Sequence, residues 1–106
     1  MPFSNQYQRD IHFKKHGSEV GAKDAVEYEQ MADGFMFGNL TLAMRECNRA
    51  SGSHRVRIHI LNRRIGIADI APPESLRSFY VAPLHTVVHH GGAMNYLAFE
   101  CARTDV

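Results

Sequence analysis

The stretch Arg55-Val56-Arg57-Ile58-His59-Ile60 decides how the second half of this chain folds. Apolar and polar residues alternate strictly, and in an extended strand successive side chains point to opposite faces. Val56, Ile58 and Ile60 therefore share one face, and Arg55, Arg57 and His59 the other. A face of branched aliphatics must be buried, so the strand is predicted to lie on a core with its cationic face partly open. After it, Asn62-Arg63 reads as a tight turn, and Ile65, Ile67 and Asp69 share one face of a second strand that Pro72-Pro73 ends. A third strand is predicted over Leu76 to Ala82, with Phe79 and Val81 on one face and Ser78 and Tyr80 on the other. A fourth, Asn95 to Cys101, sends Leu97, Phe99 and Cys101 to the core. Between them Pro83 to Ala93, with His85, His89, His90, Gly91 and Gly92, reads as a loop.

Upstream the period changes to that of helices. Gln8 to Lys15 forms a short helix that stops near Gly17 in a left-handed C-terminal cap. Asp24 and Glu27 make a capping-box-like start for a second helix, whose buried stripe is Ala25, Tyr28, Met31, Ala32 and Phe35. Leu40 to Arg49, with Asn39 as N-cap, reads as a third helix, and Ala50 to Ser53 as a loop. The expected architecture is α+β: one domain over residues 1–106, helical over about 8–50, with a four-stranded antiparallel meander over about 54–102.

With 106 residues, 44% of them hydrophobic and 22% charged, the chain suits one globular core and excludes a disordered tail or a disulfide-framework miniprotein. The net charge of +1 creates no general field toward nucleic acid or anionic lipid, so any such binding must come from a local cluster. Cys47 and Cys101 suit an exported protein if paired, but each lies in a segment able to bury it alone, and the reading favours separate thiols. No segment reaches a membrane span, and the opening residues hold no apolar signal-peptide core, so a soluble chain without its own export address is expected.

Two groups of residues can carry chemistry. Arg55, Arg57 and His59 in one row suit phosphate binding, or simply a charged face that blocks edge pairing. His12 and His16 are four apart and project from one helical face. They suit an acid and base near neutral pH, two ligands of a zinc ion completed by His85, His89, His90, Cys47 or Cys101, or ordinary surface histidines. Phe3 and Tyr7 offer rings to a base or to packing.

The run His12-Phe13-Lys14-Lys15-His16-Gly17-Ser18-Glu19-Val20-Gly21-Ala22-Lys23-Asp24-Ala25-Val26-Glu27-Tyr28 resembles the H-F-x-K-H-G-x-E-F-G-A-x-x-A-x-E-Y opening of bacterial toxin nuclease domains. These belong to the barnase, EndoU, colicin and RelE-like (BECR) group of metal-independent ribonucleases, found in polymorphic and contact-dependent toxins and in phage relatives. Asn62-Arg63-Arg64-Ile65-Gly66-Ile67, Leu76-Arg77-Ser78-Phe79-Tyr80 and Gly92-Ala93-Met94-Asn95-Tyr96-Leu97 are similar to later family motifs, in the same order. Val20 and Ser78 stand where Phe and Thr are usual.

The resemblance implies a barnase-like fold and an endoribonuclease without cofactor, cutting transfer RNA or another structured RNA to leave a 2′,3′-cyclic phosphate. His12 becomes the leading general acid or base and His16 the second. Arg57 is the expected transition-state clamp, Ser78 and Tyr80 are hydroxyl donors, and Lys15, Arg55 and Arg64 are substrate contacts. Glu19 is a second carboxylate base or a residue orienting a histidine, with the structural role preferred. A cognate immunity or antitoxin protein, acidic where it meets the Arg57 face, is implied as partner, and the cytoplasm as the place of action, reached by a free-standing protein or as part of a larger effector. The rivals are an inactive RNA- or protein-binding module on the same fold and a zinc-dependent hydrolase.

Overall fold

The computed structural model describes residues 2–105. The elements follow in the order α1 (Gln6–His16), α2 (Ala25–Phe37), β1 (Met44–Asn48), β2 (His54–His59), β3 (Arg64–Asp69), β4 (Leu76–Val81), α3 (Leu84–His89) and α4 (Ala93–Ala102), with a 3-10 turn over Gly17–Val20 after α1. Helix α1 starts earlier than expected because the Asn5 side chain accepts the Gln8 N–H at 2.8 Å. Gly17 stays right-handed at φ −56°, and the left-handed cap falls instead on Gly21, at φ 76°, where the 3-10 turn ends. Gly17 is required for another reason, since the Phe13 ring occupies the space a Cβ would need. Helix α2 begins as predicted: Asp24 accepts the Glu27 N–H at 2.8 Å, while the Glu27 carboxylate reaches back to the Lys23 N–H at 3.0 Å.

The sheet is an antiparallel meander in the order β1-β2-β3-β4, so the α+β class and the four-stranded meander hold. Its membership differs from the expectation. Met44–Asn48, expected inside a third helix, is the edge strand β1, paired to β2 with Cys47 opposite Val56. Asn95 to Cys101, expected as the fourth strand, lies in α4, and part of the expected histidine loop is helix α3. Helical winding brings Tyr96, Leu97, Glu100 and Cys101 onto one face, which packs against the sheet; alternation in a short apolar segment fits either period.

The register settles which side chains share a face. Arg57, Gly66 and Phe79 lie opposite one another across three strands, as do Val56, Ile67 and Ser78, and Ile58, Ile65 and Tyr80 on the reverse face. Helix α2 covers the first face, burying Tyr28, Ala32, Phe35 and Met36 against Phe79 and Ala68. Helix α4 covers the second, placing Tyr96 and Leu97 on Val56, Ile58 and Ile65. The expected open cationic face is therefore closed: Arg57 is only 5% exposed. The reading of separate thiols also fails, because Cys47 and Cys101 are joined in a disulfide that ties β1 to α4, with Cα atoms 6.2 Å apart. Among the described residues no helix is long and apolar enough to cross a membrane.

Candidate functional site

One turn of helix separates His12 from His16, and their rings face each other with centroids 6.2 Å apart. The pair sits where α1 and the following 3-10 turn run beside the outer edge of β4. Phe3, buried and bridged to Leu76 at the start of that edge, stacks on His12 at 5.3 Å. At the other end the ring of Tyr80 lies 5.5 Å from that of His16. Burial against this wall, with His16 and Lys15 as cationic neighbours, lowers the pKa of His12 below its ordinary value and favours the neutral imidazole. Its Nδ1 is buried without a hydrogen-bond partner.

Glu19 fixes the second histidine. One carboxylate oxygen lies 2.9 Å from His16 Nδ1, and the other accepts the Val81 backbone N–H at 3.1 Å. An ionised carboxylate can only accept, so Nδ1 carries the proton in this contact and Nε2 is the ring atom left for proton exchange. Of the two roles open to Glu19 in the sequence, the geometry matches orientation of a histidine. Arg64 belongs to the same corner: it pairs with Val81 in the sheet and donates to the Val20 carbonyl at 3.2 Å. Lys15, exposed on α1, completes the cations around the pair.

The remaining expected site residues lie elsewhere. Arg57 donates to the Phe35 and Gly38 carbonyls at 3.0 and 2.8 Å and to Glu46 at 3.0 Å, binding the C-terminal end of α2 to the sheet. Arg55 shares Glu46 at 3.0 Å, donates to the Met36 carbonyl at 2.7 Å and lies over the Phe37 ring. Burial pushes the Glu46 carboxyl up, but bonds from Arg57 and Arg55 outweigh it and hold the group below its ordinary pKa. The expectation that Arg57 and Ser78 share a polar face is corrected by the register: Ser78 stands opposite Ile67, and Arg57 is in line with Phe79. Tyr80 does reach His16 with its ring, while its hydroxyl lies 3.3 Å from that of Tyr96, which in turn donates to Glu100 at 3.3 Å. Burial and the Tyr96 contact push the Tyr80 phenol far above its ordinary pKa, so it stays protonated.

Among the described residues no group of three or more His, Cys, Asp or Glu side chains is gathered as a metal-binding set, and both cysteines offered to zinc are consumed by the disulfide. A cleft of about 240 Å³ is lined by Pro2, Glu29, Gln30 and Asp33, none of them an expected site residue, and its two carboxylates would repel a polyanion. Of the two roles the sequence left open for Phe3, stacking on a base or packing, the structure shows packing, here against His12, a contact no local pattern signals. No protein-family profile matches the chain, and no curated protein matches it.

Proposed function

We propose that this chain is a metal-independent endoribonuclease of bacterial toxin type that cleaves by 2′-hydroxyl transesterification. The observation that carries the reading is the stacked His12 and His16 pair, with a carboxylate on one imidazole and burial depressing the pKa of the other. Neutral His12 takes the proton of the ribose 2′-hydroxyl. The 2′-oxygen attacks phosphorus, and His16, acting in its imidazolium form with Nδ1–H held by Glu19, passes its Nε2 proton to the departing 5′-oxygen, leaving a 2′,3′-cyclic phosphate. Lys15 and Arg64 neutralise the charge that grows on the nonbridging oxygens. The resemblance of residues 12–28 to the toxin nucleases supports the same assignment and suggests tRNA as the substrate.

The partner in this reading is an acidic protective protein. With Arg57 buried, its footprint shifts from the face expected in the sequence to exposed Lys14 and Lys15 of α1 and half-buried Arg63 and Arg64 of the β2–β3 turn. The Cys47 to Cys101 disulfide fits a chain that matures in an oxidising compartment before acting on cytoplasmic RNA. One observation favours the rival reading of an inactive binding module: Arg57, the expected clamp, is committed to the fold. Both readings are decided by incubating the folded protein with total RNA in excess chelator beside His12→Ala and His16→Ala. Discrete cuts ending in cyclic phosphate, absent with both variants, establish the nuclease; intact RNA with folded wild type moves the assignment to the binding module.

A further inference from the structure

The turn between β2 and β3 carries a second arginine that the catalytic assignment does not use. Arg63 sits at φ 62°, a left-handed conformation that glycine adopts at no steric cost and other residues only under strain. Its guanidinium makes one bond, from Nε to the Ala82 carbonyl at 3.0 Å, and its backbone carbonyl accepts the Ala82 N–H at 2.9 Å. Ala82 follows Val81, whose N–H holds Glu19 against His16, so Arg63 is fastened next to the strand end that orients the histidine.

Arg49, Arg55, Arg57, Arg77 and Arg103 each lie on a carboxylate. Among the described residues neither Arg63 nor Arg64 has a carboxylate within ion-pair distance, and each is anchored instead to a backbone carbonyl through one nitrogen. Neutral anchors hold these two guanidinium groups in place without cancelling their charge. Such an arrangement suits an anion that arrives from outside.

We infer that Arg63 forms a binding subsite for a phosphate neighbouring the scissile one, so that the ligand of this corner is a single-stranded oligonucleotide with consecutive phosphodiesters rather than a mononucleotide. The inference rests on the ribonuclease reading for the identity of the scissile phosphate, but its test does not require cleavage. In a chain of net charge +1, such local contacts supply the electrostatic part of the affinity.

The test measures binding of a short fluorescent 2′-O-methyl oligoribonucleotide, which lacks the nucleophile, across a series of salt concentrations. Arg63→Gly suits the left-handed position and removes the guanidinium, giving up its bond to the Ala82 carbonyl, so its folding is checked by its unfolding midpoint; Arg63→Lys restores the charge. Loss of one phosphate contact in a single strand should reduce the slope of log K against log salt by about 0.7 and weaken binding about 3- to 10-fold near physiological salt, with Lys recovering most of both. Wild-type binding with an unchanged slope in Arg63→Gly overturns the subsite and leaves the nuclease reading standing. Absence of wild-type binding overturns the subsite as well. Binding that shows the expected slope change while wild type fails to cut RNA supports the subsite and removes only the catalytic reading.

Discussion

The carboxylate of Glu19 spans from the ring of His16, 2.9 Å from Nδ1, to the backbone of β4, where it accepts the Val81 N–H at 3.1 Å. The imidazole is thereby referenced to the sheet through one side chain, although His16 ends α1 and Glu19 lies in the 3-10 turn that follows. Glu19→Gln retains an acceptor for Val81 but loses the charge that fixes the His16 proton. We expect kcat to fall about 100-fold with KM little changed, and the pH profile to shift. Unaltered kcat and pH dependence would limit Glu19 to a structural tie.

His12 makes the pH dependence one-sided. Its pKa lies below the ordinary 6.5, chiefly through burial, as does that of His54 through burial and the nearby Arg49. The folded chain therefore holds fewer protons on these rings than the unfolded chain in the window below 6.5. Their contribution to stability is complete above that value and is lost as pH falls through the window toward the lowered pKa. Denaturant midpoints should drop between about pH 7 and pH 5, and His12→Asn should narrow the gap. An NMR titration placing His12 at or above 6.5 would refute both the stability argument and its role as the neutral base.

Arg57 should behave as a structural residue. Arg57→Met removes the donor to the Phe35 and Gly38 carbonyls, while Glu46 keeps Arg55. Burying two carbonyls without partners should cost about 3 kcal/mol, read as a lower unfolding midpoint, while the protein that remains folded keeps its specific activity. A large loss of kcat at unchanged stability would return Arg57 to the reacting phosphate.

How much of this was legible in the sequence depends on whether local pattern and tertiary contact agree. The Asp24 start of α2, the β2 to β4 meander and the facing of Ile58 against Ile65 all follow from local period and turn chemistry. Met44-Arg45-Glu46-Cys47-Asn48 carries no alternation of its own and is a strand because β2 offers it an edge. The segment around Leu97 and Cys101 alternates over too few residues to exclude a helix. The misplacement of the site followed from these two errors. With α4 read as a strand, the N-terminal helices were the only cover left for the apolar face of β2, so the Arg55 and Arg57 face, which α2 in fact covers, was left open to solvent. His12 and His16 were found because their spacing is local to one helix. The opposition of Arg57 and Ser78 was not, because it depends on a register across β3.

Gly66 marks where α2 meets the sheet. A Cβ added there would lie 2.8 Å from Met36 Cγ and 2.9 Å from Phe35 Cδ2, closer than side-chain carbons approach. Gly66→Ala should destabilise the fold by about 1–3 kcal/mol by lifting α2 off β3. Unfolding that matches wild type would mean that Met36 gives way without cost.

The disulfide closes a loop with a sequence separation of 54, for which the chain-entropy relation gives about 4 kcal/mol of stabilisation through the unfolded state. It is not the sole attachment of α4. The Ala50 N–H donates to the Cys101 carbonyl at 2.7 Å, and Arg49 pairs with Glu100 at 2.8 Å, both groups buried. The reduced chain should therefore retain α4 on the sheet and lose stability rather than structure. Replacing both cysteines by serine should lower the unfolding free energy by up to about 4 kcal/mol, with wild type in reductant superimposing on the double variant. The far-ultraviolet spectrum of both should match that of the oxidised protein below the transition. An unfolding midpoint insensitive to reductant, with both thiols alkylated after treatment, would show that the noncovalent ties alone hold α4 and that the cross-link leaves the unfolded ensemble unconstrained.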